Sequence, residues 1–164
     1  DMALDMFEEI VEMRREAAAK GVATVIWSYP RGEAITKDGE TAIDIAAYAA
    51  QIAALIGAHI IKIKLSTDHL MLPEAKKVYE DKKIDVATQA KRVAHCMQAS
   101  FNGRRIVVFS GGAAKDADAV YDDARAIRDG GGNGSIIGRN SFQRSREDAL
   151  AMLQKLVDIY LNKA

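Results

Sequence analysis

The stretch His59-Ile60-Ile61-Lys62-Ile63-Lys64-Leu65 decides how this chain folds. Its residues alternate with a period of two, the pattern of a β-strand. Ile61, Ile63 and Leu65 share a face that can pack under helices, and Ile60, Lys62 and Lys64 share the other. Lysine is among the residue types least often fully buried, so two on one face require solvent or a polar cavity. An edge strand wearing lysines against aggregation accounts for the strand alone equally well. The flanking sequence has to decide.

Worked outward, the lysine strand is one of four. Upstream, Val22 to Tyr29 reads as a strand with few polar interruptions, closed by Pro30-Arg31-Gly32. Downstream, Arg105 to Phe109 forms a third that runs into Ser110-Gly111-Gly112, and Ser135-Ile136-Ile137 a short fourth that delivers Gly138-Arg139-Asn140. Helical periodicity fills the intervals: Met2 to Lys20, an alanine-rich run from Thr41 to Ile56, Ala87 to Ser100, Lys115 to Arg128, and Ser145 to Leu161. Met6, Met13 and Met97 occupy apolar helical positions and are expected in the core. The stretch from Ser66 to Val86 is long, polar and only partly periodic, a connection of a length usually functional or mobile. Within it the acid and base run Glu74 to Lys83 reads as a solvated helix or loop face, or as a lid following the lysine strand.

Apolar strands alternating with helices argue for a parallel α/β sheet. Four βα units preceded by a helix make half of an eight-fold (β/α)8 TIM barrel, whose usual length is about 250 residues, or a small open sheet of flavodoxin type. Either architecture puts chemistry at the C-terminal ends of the strands. The 164 residues suit one domain, 1–164. A net charge of zero gives no field for nucleic acid. A lone cysteine, Cys96, excludes an intrachain disulfide and fits a reducing compartment. No apolar run approaches the roughly 20 residues of a membrane span, and the start at Asp1 carries no export signal. A cytoplasmic protein without membrane contact is expected. His59, His69 and His95 show no ligand spacing, so no metal site is expected.

The strand ends hold the candidate site. Pro30 forces the chain out of the sheet and leaves the Tyr29 hydroxyl near a mouth, with Trp27 on the same face. Ser110-Gly111-Gly112 offers bare backbone N–H groups to a phosphate before a helix, although a plain tight turn would look the same. Gly138-Arg139 repeats the arrangement and adds a guanidinium, a bidentate partner for phosphate. Two such neighbouring loops correspond to the phosphate site commonly formed after the last two strands of a barrel. On alternate residues of one strand, Lys62 and Lys64 stand roughly 7 Å apart. A lysine nucleophile must shed its proton, and a neighbouring cation favours that. An amine beside a phosphate-binding mouth suggests Schiff-base chemistry on a phosphorylated carbonyl compound.

Four motifs, Trp27-Ser28-Tyr29-Pro30-Arg31-Gly32, Ala58 to Lys64, Ser110-Gly111-Gly112 and Gly138 to Arg144, appear in an order that resembles the class I fructose-bisphosphate aldolases of the archaeal and bacterial type. These are Schiff-base (β/α)8-barrel enzymes. The resemblance implies reversible cleavage of fructose 1,6-bisphosphate to dihydroxyacetone phosphate and glyceraldehyde 3-phosphate, the aldol step of glycolysis and gluconeogenesis, with no metal or cofactor. It implies Lys62 as the Schiff-base lysine, Tyr29 as the proton-transfer residue, and Trp27, Arg31, Lys64, Ser110, Gly111, Gly112, Gly138 and Arg139 as the substrate-binding set. It covers the second half of the family's barrel, from the helix before the fifth strand. The first four strands, and an acidic residue the family uses near the first, have no counterpart here. Four strands alone leave two unpaired edges and an apolar inner face. Self-association through those edges is therefore expected, and a half-barrel that only binds sugar phosphate, or a related Schiff-base lyase or transferase, is the alternative reading.

Overall fold

The computed structural model of the chain describes residues 2–163. Strands β1 (Val25–Trp27), β2 (Ile60–Lys64), β3 (Ile106–Ser110) and β4 (Ser135–Ile136) form one parallel sheet in the order β1-β2-β3-β4. A doubly wound sheet reverses its strand order at a switch point. This sheet does not, so of the two architectures the half-barrel is the one built. Helices α1 (Met2–Ala19), α2 (Ile43–Leu55), α3 (Pro73–Asp81), α4 (Gln89–Ala99), α5 (Ala117–Asp129), α6 (Arg139–Phe142) and α7 (Arg146–Tyr160) alternate with the strands.

Alternation along the strands sorts the two faces. Ile61, Ile63, Val107 and Phe109 are buried against alanines of α2, Val93 and Cys96 of α4 and Ile127 of α5. Small residues on α2 let that helix lie close to the sheet. A second cluster, Val120, Ala124, Met152, Leu156 and Ile159, joins α5 to α7. On the opposite face Val25, Trp27, Ile106 and Ile136 are exposed, as expected of a barrel interior with only half its wall. Leu150, Leu153 and Val157 form an exposed apolar stripe on α7.

Local chemistry sets most helix starts. Thr88, Asp116 and Ser145 each accept a hydrogen bond from a backbone N–H one turn into α4, α5 and α7, satisfying donors that the helix cannot. Helix α3 begins on Pro73, which suits a first turn. Its entry is fixed from a distance, because the buried Asp44 carboxylate of α2 accepts the N–H groups of Met71 and Leu72.

Three expectations change. The first strand is Val25–Trp27, shorter than Val22 to Tyr29. As the sheet edge it has only β2 to pair with, and its ladder ends where Ser28 N donates to the Lys62 carbonyl. The fourth stops at Ile136. Met6 and Met13 are exposed while Met97 is buried, because α4 packs into the main core and α1 contributes no described residue to either core cluster. The Ser66 to Val86 stretch contains α3, whose residues are mostly solvated. Arg92 of α4 ties its two ends together, donating to the carbonyls of Ser66, Val86 and Ala87. It is an anchored excursion that carries a solvated helix.

Gly130, after α5, lies against α4 so closely that a Cβ there would stand 2.4 Å from the Ala90 carbonyl oxygen and 2.6 Å from the Val93 side chain. Gly130→Ala should lower the urea midpoint by the equivalent of about 1 to 3 kcal/mol through overpacking, with an unchanged denaturant slope.

Candidate active site

The parallel register lines residues up across the sheet. Trp27, Lys62 and Val108 are neighbours in one row, and Lys64, Ser110 and Ile136 in the next. Both rows lie on the open face, so the alternation read from the sequence places the two lysines together there.

Lys62 is only 7% exposed. Its Nζ sits 3.6 Å from the centroid of the Trp27 ring, a cation–π arrangement of roughly 0.5 to 2 kcal/mol. Trp27 is itself 64% exposed and thus acts as a cover with solvent on its far side. The Tyr29 ring follows at 6.2 Å, tilted by 43°. Trp27, Tyr29 and Lys62 are therefore one group.

Lys64 belongs to a second group. It lines a cleft of about 340 Å³ with Thr41, Ser110, Gly111, Gly112, Lys115 and Arg139. Four of the expected phosphate-binding positions, Ser110, Gly111, Gly112 and Arg139, meet there. Gly138 precedes Arg139 as the cap residue of α6 and does not line the cleft wall. Arg31 stands apart from this wall on the loop after β1, and Tyr29 and Lys62 do not line it either.

Glu40 ties the Lys64 side of the cleft to the loop that carries Arg31. It lies in the 3₁₀ turn Gly39–Thr41 before α2 and receives ion pairs from Arg31 at 2.9 Å, Lys64 at 3.2 Å and Lys37 at 3.4 Å. Lys64, the cation read as neighbour to Lys62 on the strand, is paired with this carboxylate. Partial burial would raise the Glu40 carboxyl, but the hydrogen bond from Lys64 and the charges of Arg31 and Lys37 outweigh it and hold it below the usual carboxylate range. Lys115 is likewise paired with Asp123, and Arg139 donates to the Gly112 carbonyl at 3.0 Å. Each cation around the cleft already has an intramolecular acceptor, so an anion entering must compete for it.

Glu40, Lys115 and Asn140 are site residues that sequence reasoning missed. Asn140 stood inside a recognised motif without a role; Glu40 lies in a loop with no periodicity to mark it. Two groups outside the site are inert. Cys96 is buried and its thiol is pushed up to about 12 by desolvation. Its neighbour His95 is held by the Tyr79 hydroxyl at 2.7 Å, so the two form no dyad.

Comparison with known proteins places this fold in a family. The family model of DeoC/LacD family aldolases matches residues 1–144, and the chain belongs to that family. It is 32% identical over 155 residues to fructose-bisphosphate aldolase class 1 of Thermoproteus tenax, covering 94% of this chain and 49% of the relative. It is 30% identical over 172 residues to a probable fructose-bisphosphate aldolase class 1 of Chlamydia muridarum, covering 94% and 48%. Among solved structures, an archaeal fructose 1,6-bisphosphate aldolase superposes with a TM-score of 0.76 at 29% identity, over 98% of this chain and 53% of that one. An archaeal aldolase with its catalytic lysine covalently bound to the carbinolamine intermediate of the substrate gives 0.74 at 28%, over 96% and 52%. The chain spans about half the length of the curated relatives it matches.

Because the folded Glu40 carboxyl is held below its ordinary value near 4.5, its ion pairs stabilise the fold above that pH and are lost as the pH falls through the lowered value. The stability difference between wild type and Glu40→Gln should be largest at pH 6 to 7 and shrink steadily below about pH 4.5. Urea titrations across that range measure it.

Proposed function

We propose that this chain, as a single domain over residues 1–164, is the amine-bearing C-terminal half of a class I fructose-bisphosphate aldolase. The observation that carries this is Lys62, held under Trp27 on the open face of the sheet, one row from the cleft formed by Ser110, Gly111, Gly112 and Arg139. The Lys62 amine attacks the ketone carbon of fructose 1,6-bisphosphate and water leaves, giving an iminium. The iminium takes up the electron pair as the carbon–carbon bond breaks. Tyr29 removes the proton from the hydroxyl that becomes the aldehyde, and glyceraldehyde 3-phosphate departs. Reprotonation of the enamine and hydrolysis then return Lys62 and release dihydroxyacetone phosphate. The glycine loops, with Gly138 behind Arg139, hold a phosphate; Lys64 supplies charge beside them in the cleft, and Arg31 lies beyond it, paired through Glu40. The single buried Cys96 suits a reducing cytoplasm.

The open face favours a second reading, in which the half-barrel binds a phosphorylated ketose and self-associates through its edges without turnover. Val25, Trp27, Ile106 and Ile136 are uncovered, and β1 and β4 each pair on one side only. An unpaired edge is a template for another chain. A second copy is proposed as the partner, so light scattering at micromolar concentration should report a mass above the 17.8 kDa of the monomer. A well-folded monomer would count against self-association.

Borohydride reduction in the presence of dihydroxyacetone phosphate distinguishes the two readings. An aldolase half should give a stable adduct at Lys62, located by peptide mass spectrometry and missing from Lys62→Met. A wild-type chain that binds the ketose phosphate yet traps no adduct would leave the binding-only reading standing.

A further inference from the structure

Asn140 is 2% exposed, and its amide is aimed wholly at one loop. Its Nδ2 donates to the Gly111 carbonyl at 3.0 Å and to the Ala113 carbonyl at 3.0 Å. Its Oδ1 accepts the Lys115 N–H at 2.8 Å. Both donors are used, and all three partners lie in the turn that joins β3 to α5. Asn140 itself stands on α6, in the next βα unit. Its neighbours reinforce the tie: Arg139 donates to the Gly112 carbonyl at 3.0 Å, and Arg144 to the carbonyls of Lys115 at 3.0 Å and Asn140 at 2.7 Å.

The carbonyls of Gly111, Gly112, Ala113 and Lys115 are thus all committed to side chains of residues 139–144. Among the described residues, the N–H groups of Gly112, Ala113 and Ala114 donate to no acceptor, and Gly112 and Ala113 form part of the cleft wall. Gly112 has φ of +67°, a conformation glycine adopts freely. Successive N–H groups in such a turn form a concave anion seat. A carbonyl swung into that seat would repel a phosphate oxygen.

We propose that Asn140 is a positioning residue, which draws the Gly111 and Ala113 carbonyls back against α6 and so keeps the Gly112 to Ala114 N–H groups set for a substrate phosphate. It rests on the phosphate-binding reading of the cleft. The role needs a neutral amide, because a carboxylate keeps the acceptor for Lys115 and loses both donors.

The test is a titration of the full chain with inorganic phosphate, followed through backbone amide resonances, with Ile61 and Ile63 of β2 as the reference for an intact fold. In wild type the amides of Gly112, Ala113 and Ala114 should shift and saturate. Asn140→Ala and Asn140→Asp should each bind about tenfold more weakly. The Lys115 amide should stay protected from hydrogen exchange in Asn140→Asp and lose protection in Asn140→Ala. Variants that keep the β2 signals and bind within twofold of wild type overturn the positioning role. A wild-type chain whose loop amides do not respond overturns the phosphate reading of the cleft, and the role with it. Wild type alone gives a further check should a variant fail to fold: phosphate should slow exchange at Gly112 to Ala114 and leave Lys115, already bonded to Asn140, unchanged. Equal slowing across the loop would overturn the proposal.

Discussion

The parallel register of β1, β2 and β3 is the constraint on which the site depends. It sets Trp27 beside Lys62 and Lys64 beside Ser110. Because side chains alternate, a slip of one residue would turn every side chain of β2 to the other face. Lys62 and Lys64 would then enter the core among the alanines of α2, and Ile61 and Ile63 would face the cleft. Burial of Ile61, Ile63, Val107 and Phe109 under α2, α4 and α5 therefore presents the lysines on the open side. The placement of the lysines on the open face is a consequence of core packing on the reverse face.

The same sheet is saturated on one side and open on the other. Its helical side has a continuous core, yet its inner side shows Val25, Trp27, Ile106 and Ile136 to solvent, and α7 adds Leu150, Leu153 and Val157. Exposed apolar patches of this kind are unusual on a surface that has no partner. They agree with the half-length coverage of the solved aldolase barrels. Lys62 shows the local effect: the ring over its Nζ is Trp27, and this indole, flanked by Tyr29, is itself 64% exposed.

Around the cleft, electrostatics are arranged by pairing. Glu40 gathers Arg31, Lys37 and Lys64, and Asp123 holds Lys115. A paired cation keeps a defined place without being expelled by its neighbours, and an anion entering the cleft has to displace that first partner. Lys115 and Lys64 can thus stand at one small cleft without mutual repulsion dominating. The backbone of the Gly111 to Lys115 loop is set by a different device, hydrogen bonds to its carbonyls from the neutral Asn140 amide and from the guanidinium groups of Arg139 and Arg144.

Much of this was legible in the sequence, and the boundary has a physical basis. Period-two alternation in His59 to Leu65 and helical periodicity elsewhere determined four strands, their helices and the two faces, because these patterns are local and burial enforces them. Glycines after the strands marked the loops that converge on the cleft, since few other residues can make such turns. Strand order, the short first strand and the exposure of Met6 and Met13 were decided only by the tertiary structure, because each depends on which neighbour lies across an edge. Glu40 meets Lys64 across 24 residues and Asn140 meets Gly111 across 29. No local pattern records such contacts; they exist only once parallel strands bring consecutive loops to one end of the sheet.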